Sequence, residues 1–231
     1  MDPNTLLRLN EARRSRTAAV VVTELSSGRD RLVVEGDTVS GELGEAIRAA
    51  MLGGKSGTVE IKGEEVFLNA YLPPPRIVVI GAVHISQALA VLARTTGYAL
   101  EVIDPRTAFA TTERFGDTSL FADWPDEVLG QRPLDRYCAL AAVTHDPKID
   151  DYPLRAALEA GCFYVGALGS RKTHAKRLDR LKDLGVAQDK LASIRSPIGL
   201  DIGAEGPQEI AVAIMAEIVL AFRRRGLAQG K

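Results

Sequence analysis

The spacing of apolar positions changes near residue 73. Before it, short apolar runs alternate with polar turns. Thr17 to Leu25 holds the run Ala-Ala-Val-Val-Val-Thr and reads as a strand, with Arg31 to Glu35 as its hairpin partner across Ser26-Ser27-Gly28. Gly36-Asp37 is a turn signal, and Gly41 to Leu52 suits a short helix. Ser56 to Ile61 and Val66 to Tyr71 read as a second hairpin about Lys62-Gly63-Glu64. Residues 1–72 are therefore expected to form a small α+β N-terminal domain. Pro73-Pro74-Pro75 lacks backbone donors and favours a stiff extended chain, so residues 73–75 are read as a connector and domain boundary.

From residue 76 the rhythm is that of an α/β fold. Arg76-Ile77-Val78-Val79-Ile80-Gly81 is an almost unbroken apolar strand, as strands buried on both faces are. Ile85 to Thr95 reads as a helix and Tyr98 to Ile103 as a second strand stopped by Asp104-Pro105-Arg106. Tyr137 to Thr144 reads as a third strand, followed by a polar turn and a helix over Leu154–Ala160. Cys162 to Val165 is the fourth strand. Lys172 to Leu184 is a helix with Ala175, Leu178, Leu181 and Leu184 on its apolar side. Pro207 to Arg224 is the longest helix, with Pro207 suited to its first turn. Ala110–Pro133 fits neither period. Strands alternating with helices imply right-handed crossovers and a parallel sheet, so residues 76–231 are read as a Rossmann-like C-terminal domain.

Composition narrows the partners. The 231 residues carry 29 basic and 30 acidic side chains, so no global positive field points to nucleic acid. Two cysteines make no disulfide framework. No apolar run approaches the roughly 20 residues of a membrane span. The start Met1-Asp2-Pro3-Asn4 is unlike a signal peptide, and a cytoplasmic location is expected. Many of the 21 glycines fall where strands end, beside His, Asp and Arg.

Ligands of open parallel sheets bind at the carboxyl ends of the strands. The first strand ends Gly81-Ala82-Val83-His84-Ile85-Ser86, where a dinucleotide loop would read G-x-G-x-x-G. Gly81 is kept, but Val83 and Ser86 replace the second and third glycines, which argues against ordinary NAD(P) binding. The following helix start and His84 can still meet an anion. Asp104 lies 23 residues after Gly81, near where an acid binds ribose, and Arg106 follows it. Thr144-His145-Asp146-Pro147-Lys148-Ile149-Asp150-Asp151 puts one His and three Asp within seven residues, which offers metal ligands, acid–base groups, hydrogen bonds to a polar heterocycle, or plain turn formation; its spacing matches no strong zinc signature, and no metal site is assigned. Gly166-Ala167-Leu168-Gly169-Ser170-Arg171-Lys172 reads as a phosphate cradle, with Arg171 as a bidentate grip and Lys172 as a point charge. Asp201, set among Gly199, Gly203 and Gly206, can accept from a ligand's amino or hydroxyl groups. Cys138 and Cys162 read as buried thiols.

Taken together these segments resemble the xanthine dehydrogenase accessory protein family (XdhC/CoxI-like). The resemblance is carried by Gly81-Ala82-Val83-His84-Ile85, Val102-Ile103-Asp104-Pro105-Arg106, Thr144-His145-Asp146-Pro147, Tyr164 to Thr173, Pro197 to Ala204 and Glu209-Ile210-Ala211-Val212. It implies a maturation chaperone rather than a catalyst. Such a protein binds and protects the molybdenum cofactor in its molybdopterin form and delivers it to an apo molybdenum hydroxylase subunit such as that of xanthine dehydrogenase. The cofactor is sulfurated beforehand, with sulfur from a cysteine desulfurase partner. It further implies a homodimer. The cofactor-binding residues expected on this reading are Gly81, His84, Asp104, Arg106, His145, Asp146, Gly166, Gly169, Ser170, Arg171, Lys172 and Asp201. Two departures from the family pattern stand out: Val83 replaces a usual glycine, and Ser40-Gly41-Glu42-Leu43-Gly44-Glu45 lacks the cysteine of the corresponding segment. Two other readings follow from the residues. One is an NAD(P)- or flavin-linked oxidoreductase with a degenerate Rossmann loop, favoured by Asp104 and disfavoured by Val83. The other is a non-catalytic scaffold for a partner protein.

Overall fold

The computed structural model describes residues 2–225. The chain divides into two compact units. One holds the residues up to Pro74 together with those from Arg223; the other is Pro75–Phe222.

The first unit runs α1 (Pro3–Arg14), β1 (Ala19–Glu24), β2 (Asp30–Val34), α2 (Gly41–Gly53), β3 (Gly57–Ile61) and β4 (Glu64–Tyr71). Its four strands form an antiparallel sheet in the order β2-β1-β4-β3. Side chains alternate across a strand, so the unbroken run of β1 serves two cores. Val20 and Val22 meet Ile47 and Ala50 of α2 with Val66 and Leu68 of β4. Ala19 and Val21 meet Leu9 and Ala12 of α1 with Leu32. Helix α1 is an element the apolar pattern does not announce: only Thr5, Leu9 and Ala12 are buried, while Leu6 and Leu7 face solvent. Its signal is the cap. Asp2 accepts from the Asn4 amide at 2.8 Å, and Pro3 occupies the first turn.

The second unit runs β5 (Arg76–Ile80), α3 (His84–Thr96), β6 (Ala99–Ile103), α4 (Thr112–Phe115), β7 (Ser119–Phe121), α5 (Pro125–Gln131), β8 (Cys138–Ala142), α6 (Pro147–Glu159), β9 (Tyr164–Ala167), α7 (Arg171–Asp183), α8 (Gln188–Leu191) and α9 (Pro207–Arg224). The strands make one parallel sheet, ordered β7-β6-β5-β8-β9. Alternation again sorts the core. Ile77 and Val79 pack with Leu89 of α3 and Ile214 and Ile218 of α9. Val78 and Ile80 pack on the opposite face with Leu154 of α6, Leu181 of α7 and Leu191 of α8. Beyond β9, Arg195 adds one parallel bridge to Gly166, its amide donating to the Val165 carbonyl at 2.8 Å, which covers that sheet edge.

Two stretches differ from the sequence pattern. Residues 110–133 hold a one-turn helix, the three-residue edge strand β7 and the short α5, elements too brief to show a period. Helix α6 begins at Pro147, well before Leu154. Asp146 is its cap, accepting from the Lys148 amide at 3.0 Å, and Pro147 takes the first position. Pro153 lies inside the helix, where burial of Ile149, Asp150, Leu154 and Ala157 outweighs propensity.

Candidate functional site

The chain leaves β5 toward β6 and β7 on one side and returns to β8 and β9 on the other. The carboxyl ends of β5 and β8 therefore flank the switch point, where such sheets open a crevice. Gly81 follows β5 at φ 117°, and a Cβ there would lie 2.7 Å from the Thr144 methyl beyond β8. The two strand ends approach this closely because position 81 has no side chain.

On the β6 side the polar groups bond one another. Asp104 is fully buried. Its Oδ2 accepts from the Ala82 amide and from Arg106 Nη2, both at 2.7 Å; its Oδ1 accepts from the Arg106 amide at 3.0 Å and Arg106 Nε at 2.9 Å. Burial pushes the Asp104 pKa up, but the Arg106 and Ala82 donors together outweigh it and hold the carboxyl below its ordinary value. Arg114 Nη1 donates to the Ala82 carbonyl at 2.8 Å and to the Phe109 carbonyl at 2.7 Å. The Ala82 residue is thus gripped at both its amide and its carbonyl. His84, the first residue of α3, is exposed.

The β8 side is different. His145 adopts φ 69°, and its amide donates to Asp150 Oδ2 at 3.1 Å. Thr144 Oγ1 donates to Asp150 Oδ1 at 2.7 Å and accepts from the Asp146 amide at 3.0 Å. Asp150 is 1 % exposed, and burial pushes its carboxyl up to about 6 despite the Thr144 hydroxyl and the Arg177 charge. After β9, Gly169 stands at φ 137° and Ser170 caps α7, accepting from the Thr173 amide at 3.2 Å. A Cβ on Gly166 would lie 2.6 Å from both Tyr164 Oη and Ile198 Cγ1, so this strand end also needs glycine.

A cleft of about 390 Å³ opens here, lined by His145, Pro147, Asp150, Lys172, Thr173, Lys176, Arg177 and Arg180. Arg180 is paired, its Nε and Nη2 donating to Asp151 at 2.6 and 2.9 Å. Arg177 is not. It is 2 % exposed; Nη2 donates to the Leu168 carbonyl at 2.8 Å, while Nε and Nη1 have no hydrogen-bond partner among the described residues. Burial pulls its pKa down, opposed by Asp150 and Asp151.

Of the residues singled out in the sequence, His145 and Lys172 line this cleft. Gly169 and Ser170 lead into α7, Gly166 faces Tyr164 and Ile198 on the other side of the sheet, and Asp146 caps α6. Arg171 is exposed at the start of α7. Gly81, Asp104 and Arg106 belong to the bonded network on the β6 side. Asp201 is exposed in the loop before α9. That loop is anchored elsewhere: Glu217 Oε2 accepts from Tyr164 Oη at 2.7 Å and from the Gly199 amide at 2.8 Å. Sequence reasoning missed Lys176, Arg177 and Arg180 and gave Asp150 no binding role. A signal exists, since 172, 176 and 180, like 173 and 177, recur at the four-residue spacing of one helix face.

Cys138 and Cys162 are free thiols, both pushed up in pKa by burial. Among the described residues no helix is long and apolar enough to cross a membrane.

A five-stranded parallel sheet in this order, with an altered glycine loop and a cationic cleft, defines a Rossmann-like domain. Residues 77–218 match the XdhC Rossmann domain, and the chain belongs to that family. It is 32% identical over 160 residues to a Bacillus subtilis protein named as a probable xanthine dehydrogenase subunit, the match covering 69% of this chain and 46% of that one. It is 31% identical over 152 residues to the Escherichia coli molybdenum cofactor insertion chaperone PaoD, covering 66% of this chain and 42% of that one. The chain thus spans less than half the length of these relatives. A crystal structure described as a xanthine dehydrogenase from Bacillus halodurans superposes with a TM-score of 0.72 at 25% identity, covering 98% of this chain and 69% of that one.

Proposed function

We propose that this chain is a maturation chaperone that binds the molybdenum cofactor as cargo and delivers it to an apo molybdenum hydroxylase of the xanthine dehydrogenase kind. The observation that carries the reading is the likeness to a relative named as a molybdenum cofactor insertion chaperone. The matched stretch 77–218 contains every residue of the cationic cleft, which supports an anionic cargo. In this reading the cargo lies along the carboxyl ends of the strands. Gly166, Gly169, Ser170, Arg171 and Lys172 serve its anionic end. His145, Asp146 and Asp201 serve polar groups of its heterocycle, and Gly81, His84, Asp104 and Arg106 frame the other side. The protein acts as a cytoplasmic homodimer. With both thiols held protonated, sulfur arrives already on the cofactor, from a partner cysteine desulfurase.

The competing oxidoreductase reading is disfavoured by Val83. In a dinucleotide loop a glycine at that position lets the backbone approach the pyrophosphate at the helix N-terminus; here a valine side chain stands there.

Anaerobic titration of the purified protein with molybdenum cofactor tests the proposal. Near-stoichiometric binding is expected, with activation of an apo molybdenum hydroxylase on mixing. No binding, or binding without transfer to any apo enzyme of this class, overturns it.

A further inference from the structure

We propose that the cleft at the start of α7 is a seat for a terminal phosphate monoester, with the Arg177 guanidinium as its floor and Lys172 and Lys176 as its rim. The identity of the rest of the ligand rests on the cargo reading above; the seat itself rests on three observations of its own.

The first is the unsatisfied guanidinium. A buried cation with unbonded nitrogens is costly, because it has lost water and gained no acceptor. Arg177 has one nitrogen fixed on the Leu168 carbonyl, which sets its orientation, and two without partners. The carboxylate nearest in charge, Asp150, does not neutralise it by a hydrogen bond. Its oxygens are held by the Thr144 hydroxyl and the His145 amide. An oxyanion entering the cleft supplies the missing acceptor.

The second is the charge. Arg180 and Asp151 cancel as a bidentate pair. Lys172, Lys176 and Arg177 then face Asp150 alone, leaving an excess of positive charge that suits a dianion. A carboxylate or a phosphodiester brings one negative charge, whereas a phosphate monoester brings nearly two at neutral pH.

The third is the backbone. Helix α7 is 13 residues long, and its first amides have no partner within the helix. Ser170 takes the Thr173 amide, and the helix dipole favours an anion at this end, where Lys172 and Thr173 line the cleft. The cleft volume of about 390 Å³ admits a terminal phosphate with a small part of the group that bears it.

Calorimetric titration of the full chain with phenyl phosphate, dimethyl phosphate and phenylacetate tests the seat. Phenyl phosphate is expected to bind, with the diester and the carboxylate at least about tenfold weaker. Arg177→Gln is expected to lose about 10- to 100-fold in phenyl phosphate affinity, the range of charge-assisted bonds. Because Arg177 is buried, a second variant guards against misfolding: Lys172→Ala with Lys176→Ala changes two exposed side chains and is expected to lose about tenfold with unchanged urea unfolding. Equal affinity for monoester and diester, or an unaltered affinity in the double-lysine variant, overturns the seat. Molybdenum cofactor bound equally by the wild type and the double-lysine variant leaves the chaperone reading standing and removes the seat. Charge-dependent phenyl phosphate binding without molybdenum cofactor binding does the reverse.

Discussion

The Ala82 amide donates to Asp104 Oδ2 at 2.7 Å, across the ends of two adjacent parallel strands. The bond joins the loop after β5 to the residue that follows β6. It also fixes Asp104, whose remaining acceptor positions go to Arg106. Asp104→Asn removes the charge that three Arg106 donors address and, in either rotamer, sets its NH2 against two donors. A loss of about 2–3 kcal/mol is expected, below the range for a fully buried pair because Arg106 is 36 % exposed. Urea unfolding measures it, and a change under about 0.5 kcal/mol contradicts the structural role.

The loop after β5 makes a prediction about ligands. Val83→Gly restores the second glycine of a dinucleotide loop, yet Ser86 still stands where the third allows close helix–strand packing. NAD(P) binding is expected to remain undetectable by calorimetry in this variant. Micromolar binding would bring back the oxidoreductase reading.

Asp150 gives stability a pH signature. Its carboxyl titrates at about 6 in the fold against 3.8 for an ordinary aspartate, raised by burial. Between these values the unfolded chain has released a proton that the folded chain keeps. This group's contribution to stability is therefore full below pH 4, declines as pH rises, and levels off above 6. At about 1.4 kcal/mol for each pH unit the decline reaches at most about 3 kcal/mol. Asp104 works in the opposite direction, so the informative quantity is the difference between Asp150→Asn and the wild type. Relative to wild type, the variant is expected to gain stability steadily from pH 4 to 6 and to hold that gain at pH 8. Parallel profiles for the two proteins would show that Asp150 is not the titrating group.

Most of the Rossmann-like sheet is legible because its strands are buried on both faces and therefore read as continuous apolar runs. Ile77 to Ile80 is the clearest. Elements defined by a cap or by a single turn are harder. Helix α1 buries too few side chains to show a period, and its evidence is the Asp2-Pro3 start. In α6, Asp146-Pro147 has the composition of a turn and the geometry of a helix start. The site divides in the same way. Loop signatures at strand ends locate the crevice, but they do not say whether a polar group faces a ligand or a neighbour. Asp104 has the spacing of a ribose acid, yet its carboxylate bonds Ala82 and Arg106. Arg177 has the look of a solvated helix residue, yet it is buried, because α7 turns its basic face toward the β8 and β9 loops.

Two glycine substitutions should have opposite signs. Gly81→Ala places a methyl 2.7 Å from Thr144 Cγ2 at φ 117°, and Thr144 in turn holds Asp150. A destabilisation of about 1–3 kcal/mol is expected. Gly130→Ala lies in α5 with nothing within 4 Å and no positive φ. It is expected to stabilise by about 0.4–1 kcal/mol through the unfolded chain. Thermal unfolding of the pair, read side by side, separates the effect of close approach from the effect of glycine itself.

The proposed delivery of an already sulfurated cofactor makes a prediction about the two thiols. Cys138 is fully buried; its Sγ donates to Asp135 Oδ1 at 3.2 Å and accepts from Arg76 Nη2 at 3.3 Å. Burial raises both thiols above their ordinary pKa, so each is protonated at pH 7–8 and is a poor nucleophile and a poor metal ligand. An aromatic disulfide reagent is expected to react slowly with the native protein and at once with two thiols in urea. Cys138→Ser keeps the polar contacts, Cys162→Ala removes little volume, and the double variant is expected to deliver molybdenum cofactor as well as the wild type. If the double variant folds normally but no longer delivers, a protein thiolate takes part in the transfer and the cofactor does not carry its sulfur unaided.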